Sequence, residues 1–175
     1  LMTRDDDRMV ALESRTSLAN NNKADLLISL HANWAPRPST AGTTIYLAAF
    51  EDNEAPRPDP PSGTVPLPGG RSREIALVPW ERAQRSHLDR SADFAARLEA
   101  RLQGVVPFGP RAVERLPLPL LEAANMPAVL IEMGYLSHPE QEQQLSNGSL
   151  SNQLVQAIVD VVAAFRSGVP EHDRP

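Results

Sequence analysis

Ala24-Asp25-Leu26-Leu27-Ile28-Ser29-Leu30-His31-Ala32-Asn33 is the stretch on which the reading of this chain turns. Four of its residues are large and apolar, Gly and Pro are absent, and the apolar run stops at a histidine. Short apolar runs of this kind form strands whose faces are covered, so a buried strand with His31 at its carboxyl end is expected. A second run of the same type, Pro127-Ala128-Val129-Leu130-Ile131-Glu132-Met133, is continuously apolar until Glu132. Thr43-Thr44-Ile45-Tyr46-Leu47-Ala48-Ala49 adds a third candidate strand, β-branched and aromatic at its start.

Helical patterns flank these runs. Met9, Leu12, Thr16 and Ala19 recur at helical spacing before Asn20-Asn21-Asn22. The acidic Asp5-Asp6-Asp7 ahead of them reads as helix N-terminal charge, since the spacing of a calcium loop is missing. Trp80, Ala83, Gln84, His87, Leu88, Ser91, Ala95, Leu98 and Leu102 lie on one stripe, with Gly104 placed for a C-terminal stop. A last helix is expected over residues 149–166, facing the core with Leu150, Leu154, Ile158, Val161, Val162 and Phe165 and ended by Gly168. Residues 116–121 carry Pro117 and Pro119 and suit an edge strand. Residues 51–79 hold so many Pro and Gly that no regular element is expected there.

Helices alternating with strands give an α/β layered domain, its largely parallel twisted sheet flanked by helices. Ligands of such sheets bind at the carboxyl ends of the strands, where His31 and Glu132 both fall. The two side chains are therefore expected to converge on one cleft. A carboxylate that closes an apolar strand must be solvated, paired or hydrogen-bonded, because burying it alone costs several kcal/mol. For each residue a structural role competes with a functional one: a packed histidine, or a glutamate that anchors the following loop. His87 reads as packed or hydrogen-bonded on its helix, His138 as loop structure and His172 as part of a polar tail. Asn33 and Trp34 follow His31 closely enough to touch a substrate, although an Asn there also caps turns.

Composition excludes several classes. The 175 residues suffice for one domain with a real core, and an apolar content of 41% is that of an ordinary folded protein. A net charge of −5 speaks against nucleic acid as a partner. The absence of Cys removes thiolate metal sites, disulfides and cysteine nucleophiles together. No run approaches the ~20 apolar residues of a membrane span. Leu1-Met2-Thr3-Arg4 lacks the basic-then-apolar order of a signal peptide and reads as a chain met in mid-fold.

Three segments in order, Thr3-Arg4-Asp5-Asp6-Asp7-Arg8, the stretch from Ala24 to Asn33, and Met126-Pro127-Ala128-Val129-Leu130-Ile131-Glu132-Met133-Gly134-Tyr135-Leu136-Ser137, resemble the zinc-dependent N-acetylmuramoyl-L-alanine amidases of the type 3 group. The resemblance spans nearly the whole chain apart from the Pro-rich insert and the last residues. It implies a hydrolase that cuts the amide between the lactyl group of N-acetylmuramic acid and the L-alanine of the stem peptide in peptidoglycan. It implies zinc as cofactor, held in that family by two His and one Glu, with a further Glu in catalysis. His31 matches the second His ligand and Glu132 the catalytic Glu; Asn33 becomes a candidate substrate contact. The family's first His and its ligand Glu precede the Thr-Arg-Asp segment and have no counterpart here. Residues 1–168 are thus expected to be a catalytic domain without its N-terminal strand and helix, carrying an insert at about 51–79, and 169–175 a polar tail. Lacking two zinc ligands, the chain as given is expected to be inactive, and a non-catalytic peptidoglycan-binding remnant is the alternative. A third reading is an unrelated α/β small-molecule binder in which His31 and Glu132 are structural. The resemblance further implies a periplasmic or extracellular location and leaves open whether an activator protein is needed.

Overall fold

Alternation along two central strands decides how the layers stack. In β2 (Thr43–Ala48), Ile45 and Leu47 face one side of the sheet while Thr44, Tyr46 and Ala48 face the other. In β6 (Ala128–Tyr135), Val129 and Ile131 face the first side, and Ala128 and Leu130 the second. The period of two that follows from strand geometry therefore feeds two separate cores. A computed structural model describes residues 1–50, 62–66, 69–76 and 79–167.

The four-stranded sheet has the order β1-β6-β2-β5, with β1 spanning Leu27–Asn33 and β5 spanning Phe108–Leu116. β1 pairs with β6 and β2 with β5 in parallel, and the two pairs meet antiparallel between β2 and β6. On the first face, α2 (Leu88–Leu102) and α5 (Ser149–Ser167) bury Phe94, Leu98, Leu102, Leu154, Val161 and Phe165 against Ile45, Leu47, Val129 and Ile131. Each such side chain contributes roughly 1.5–3 kcal/mol. On the second face, Ala19 of α1 (Leu12–Asn21), Leu121 of the short α3 (Pro119–Glu122) and Ala124 just after it cover Leu27, Ala48, Ala128 and Leu130. A helix α4 (Pro139–Ser146), which the sequence pattern did not reveal, follows β6; the His138 imidazole accepts the Gln141 N–H at 3.4 Å to cap it.

Several expectations change. β1 is an edge strand, half-covered along its length, and Leu30 is exposed. The first helix starts only at Leu12, so Met9 is exposed, and Asp5 and Asp6 lie outside the helix as surface ion partners of Arg8. Of residues 116–121 only Leu116 belongs to a strand, as the last residue of β5. Pro119 occupies the first turn of α3, where its missing N–H costs nothing. The edge strand beside β2 is β5, whose Pro110 sits where the register against β2 shifts between Thr43 and Ile45. Within the Pro-rich stretch, β3 (Ser62–Pro66) and β4 (Ser72–Ala76) form an antiparallel pair, with Pro66 at the last position of its strand. Gly69 and Gly70, at φ +87° and +74°, supply left-handed conformations between these strands. The rest of that stretch, and Gly168 and His172, lie outside the described residues.

The long helical stripe is also divided. Trp80–His87 forms a 3₁₀ segment and only Leu88–Leu102 is α-helical. Ser91 explains the join: its hydroxyl donates to His87 O at 2.9 Å, accepts the Ala128 N–H at 3.0 Å and meets the buried Gln84 amide at 2.6 Å. Polar residues on that stripe thus fasten helix to sheet. After Leu102, Gln103 and Gly104 (φ +75°) turn the chain, and the Val105 N–H returns to Leu102 O at 2.9 Å.

Candidate active site

His31 and Glu132 are register partners across the parallel β1–β6 pair, and Thr44 of β2 stands opposite Glu132 on its other side. Side chains that share a register row leave the same face of a sheet, about 4.8 Å apart from strand to strand. The row His31, Glu132, Thr44 therefore lies on the second face, at the carboxyl ends of β1 and β6. Ser29, two residues before His31, places its hydroxyl 3.0 Å from His31 Nε2. Tyr46, two residues beyond Thr44, joins the same face.

The electrostatics of the pair are complementary. Burial, followed by the nearby positive charges of Arg15 and Arg4, holds the His31 pKa below its ordinary value, which favours the neutral imidazole. Burial raises the Glu132 pKa, and its Oε2 is enclosed without a hydrogen-bond partner. An ionised oxygen in that position lacks the donors that would stabilise it, so the carboxyl has unusual affinity for a proton. The Tyr46 pKa is also raised, first by burial and then by Glu114, Tyr135 and Glu132, which keeps its phenol a neutral donor.

Beyond the row, the loops that leave β1 and β6 are tied together. The Leu136 N–H donates to Asn33 O at 2.7 Å, and the Ala35 N–H to Ser137 Oγ at 3.0 Å. Asn33 pairs in register with Tyr135, and its Oδ1 takes the Trp34 N–H at 2.8 Å. Gln141, buried on α4, accepts the Gly42 N–H at 3.0 Å and the Tyr135 N–H at 3.1 Å on a single oxygen. Thr43 Oγ1 donates to Met133 O at 3.1 Å. The end of β6 and the start of β2 are thus braced from both sides of Glu132. His138 serves as a helix cap, and His87 contacts Asn125 at 3.2 Å.

Comparison with known proteins decides the family. The sequence model of the N-acetylmuramoyl-L-alanine amidase family, type 3, matches residues 1–164. The chain belongs to this amidase family. Among curated relatives, amidase AmiC of Neisseria meningitidis is 27% identical over 94% of this chain, and amidase AmiA of Escherichia coli 21% identical over 94%. The chain spans 41% and 60% of those two proteins. The amidase structure from Clostridium difficile 630 superposes with a TM-score of 0.67 at 25% identity, covering 95% of this chain and 71% of that one. The CwlD amidase of Clostridioides difficile, solved in complex with the GerS lipoprotein, gives a TM-score of 0.64 at 18% identity over 95% of this chain and 75% of that one.

Sequence reasoning pointed to His31, Glu132 and Asn33, and the structure adds Ser29, Thr44, Tyr46 and Gln141 as their neighbours. Thr44 and Tyr46 had a signal in the alternation of β2, which separates them from Ile45 and Leu47. Gln141 had none, because an isolated Gln in a polar run looks like surface. A catalytic zinc takes three protein ligands and an open position. Among the described residues, no three His, Asp or Glu side chains gather. His31 and Glu132 alone do not complete such a set.

Proposed function

We propose that this domain hydrolyses the amide joining the lactyl group of N-acetylmuramic acid to the L-alanine of the peptidoglycan stem, with Glu132 as general base and acid. The observation that carries the reading is the enclosed, unpartnered Glu132 oxygen beside a neutral-leaning His31 in a member of the amidase family. A carboxyl with raised proton affinity is suited to take a proton from the attacking water and return it to the departing alanine nitrogen. Thr44 and Tyr46 line the same face as donors to polar groups of the substrate. Asn33, whose Oδ1 is engaged by Trp34, is assigned to substrate contact through its amide nitrogen.

Zinc is the cofactor proposed for the complete site. His31 offers one imidazole in the form that donates a lone pair, and the remaining ligands would come from beyond the described residues. With His31 as the donor offered among the described residues, this domain alone should bind zinc weakly and hydrolyse little. The lack of a three-donor group among the described residues favours a second reading, a peptidoglycan-binding remnant of the same fold. A periplasmic or extracellular location follows from the proposed substrate, and the lipoprotein bound to CwlD supports a partner protein as a further proposal.

Release of stem peptides from purified sacculi by the full-length protein tests both readings. Glu132→Gln keeps the shape and removes the base, so turnover should fall ~10²–10⁴-fold while the fold persists. His31→Ala should lose the metal as well. Near-normal turnover of Glu132→Gln would remove Glu132 from the mechanism, and sacculus binding without any turnover in the parent protein would leave the remnant reading.

A further inference from the structure

Glu132 sits where regular pairing stops on both sides of its strand. Against β1 the register runs in step only as far as His31–Glu132, and against β2 the antiparallel ladder of Tyr46–Leu130 and Ile45–Ile131 ends at Thr44–Glu132. One residue further, the Thr43 N–H points away from β6 and donates to Pro107 O at 2.8 Å. Side chains take over the join. Thr43 Oγ1 donates to Met133 O at 3.1 Å, and Gln141 Oε1 accepts the Gly42 N–H at 3.0 Å together with the Tyr135 N–H at 3.1 Å. The start of β2 and the end of β6 are thus held together by a hydroxyl and an amide where backbone pairing has ended.

Both side chains reach the join from behind. Thr43 shares the alternation of Ile45, on the first face, and is fully buried. Gln141 is buried on α4, whose Leu145 packs against the first core, and a Cβ on Gly134 would lie 3.3 Å from the Gln141 amide, so glycine leaves the amide its room. Glu132 and Thr44 leave the opposite face, and neither Thr43 nor Gln141 touches what binds there. Resting on the amidase reading above, we propose that Thr43 and Gln141 are positioning residues, a clamp behind the sheet that holds Glu132 in the one orientation from which its carboxyl serves the scissile amide. Strand ends without pairing open locally at little cost, so an unclamped Glu132 would move with its backbone. A general base works only within hydrogen-bond reach of the proton it takes, and a displacement of about 1 Å can cost ~10²-fold in rate.

Positioning is read on the full-length protein with purified sacculi, at a temperature where circular dichroism shows every variant folded. Thr43→Val keeps the shape, removes the donor and leaves Met133 O without it. Its kcat should fall roughly tenfold, and that of the double variant Thr43→Val/Gln141→Leu ~10²-fold, with KM within about twofold of the parent. Thr43→Ser returns a hydroxyl and should recover most of the loss. Cross-strand NOEs add a readout that needs no turnover. In the double variant, backbone contacts of Thr44 with Glu132 should weaken while those of Tyr46 with Leu130, two pairs deeper, hold. A rise in KM at unchanged kcat, or unchanged kinetics in the double variant, would overturn the positioning role. Equal weakening along the whole ladder would make the two side chains general supports of the fold, and an undisturbed Thr44–Glu132 pair would show that they clamp nothing; both results overturn it. A parent protein without turnover would sink the amidase reading alone, and the NOEs would then decide whether the clamp holds Glu132 in place.

Discussion

His31 of β1 and Glu132 of β6 occupy one register row of a parallel strand pair, so two groups of opposite acid–base character share one face. The relationship is imposed by the backbone and not by a bond between the side chains. Parallel pairing of Leu27 with Ala128 starts a ladder that runs in step through His31 and Glu132, then breaks before Asn33 and Tyr135. The irregularity falls directly after this pair, just before the two strands end at Asn33 and Tyr135.

The pair should leave a signature in stability against pH. Glu132 has its folded pKa raised above the ordinary 4.5, so its favourable contribution is complete below that value and is lost as pH rises through the folded pKa. Glu132→Gln does not titrate. In metal-free buffer, urea midpoints of the variant should therefore gain on the parent as pH rises above 4.5. His31 has its folded pKa lowered from 6.5, so the parent should lose stability as pH falls from 6.5 through the folded value, and His31→Asn should lose less. Parallel pH profiles for parent and variants would show that both groups are solvated.

The first core depends on Phe94, which is fully buried and meets the Phe165 ring edge-on at a centroid distance of 5.3 Å. Phe94→Ala removes a ring from between α2, α5 and the sheet. A loss of about 3–5 kcal/mol is expected, enough to unfold much of a marginal domain, and Phe94→Leu should lose considerably less. Denaturant unfolding by circular dichroism measures both. A loss below 1 kcal/mol for the alanine variant would mean that the cavity collapses.

Much of this was legible in the sequence because buried strands announce themselves. Val129, Leu130 and Ile131 leave few alternatives, and Glu132 at their end stands out for its charge. The amphipathic stripe from Leu88 to Leu102 was equally plain, although Ser91 and Gln84 hid the change of helix type behind buried polar contacts. Strand β5 was misplaced because Pro110 and Gly109 look like breakers, and only the shifted pairing with β2 makes room for them. Which residues of other strands flank His31 and Glu132 could not be read. That depends on which strands become neighbours, and β6 inserts between β1 and β2 from almost one hundred residues away in sequence.

Close backbone approach makes Gly42 a sensitive position. Its φ is +114°, and a Cβ there would lie 2.3 Å from Gly109 N and 2.5 Å from Phe108 C, both backbone atoms that cannot swing aside. Gly42→Ala must therefore shift β5 against β2 or abandon the conformation. A destabilisation above about 2 kcal/mol is expected, from strain and overpacking together. An unfolding curve that superposes on the parent would show that the β2–β5 junction is far softer than its pairing indicates.

Gln141 offers the sharpest separation of hydrogen bonding from packing. One side-chain oxygen accepts both the Gly42 N–H and the Tyr135 N–H, so α4 joins the start of β2 to the end of β6, while Nε2 is buried without a partner. Gln141→Leu keeps the bulk and strands two backbone donors, each worth about 1–3 kcal/mol when left unpaired. A loss of roughly 2–4 kcal/mol is expected. Gln141→Glu keeps two acceptor oxygens for the same N–H groups and removes the unpartnered donor, so it should stay much closer to the parent at neutral pH. Its advantage over the leucine variant should shrink at acid pH as the new carboxyl takes up a proton. Amide exchange at Gly42 and Tyr135 reports the two bonds directly: both should lose protection in Gln141→Leu and keep it in Gln141→Glu. Equal losses in the two variants would mean that the side chain's shape, and not its acceptor oxygen, braces the strands around Glu132.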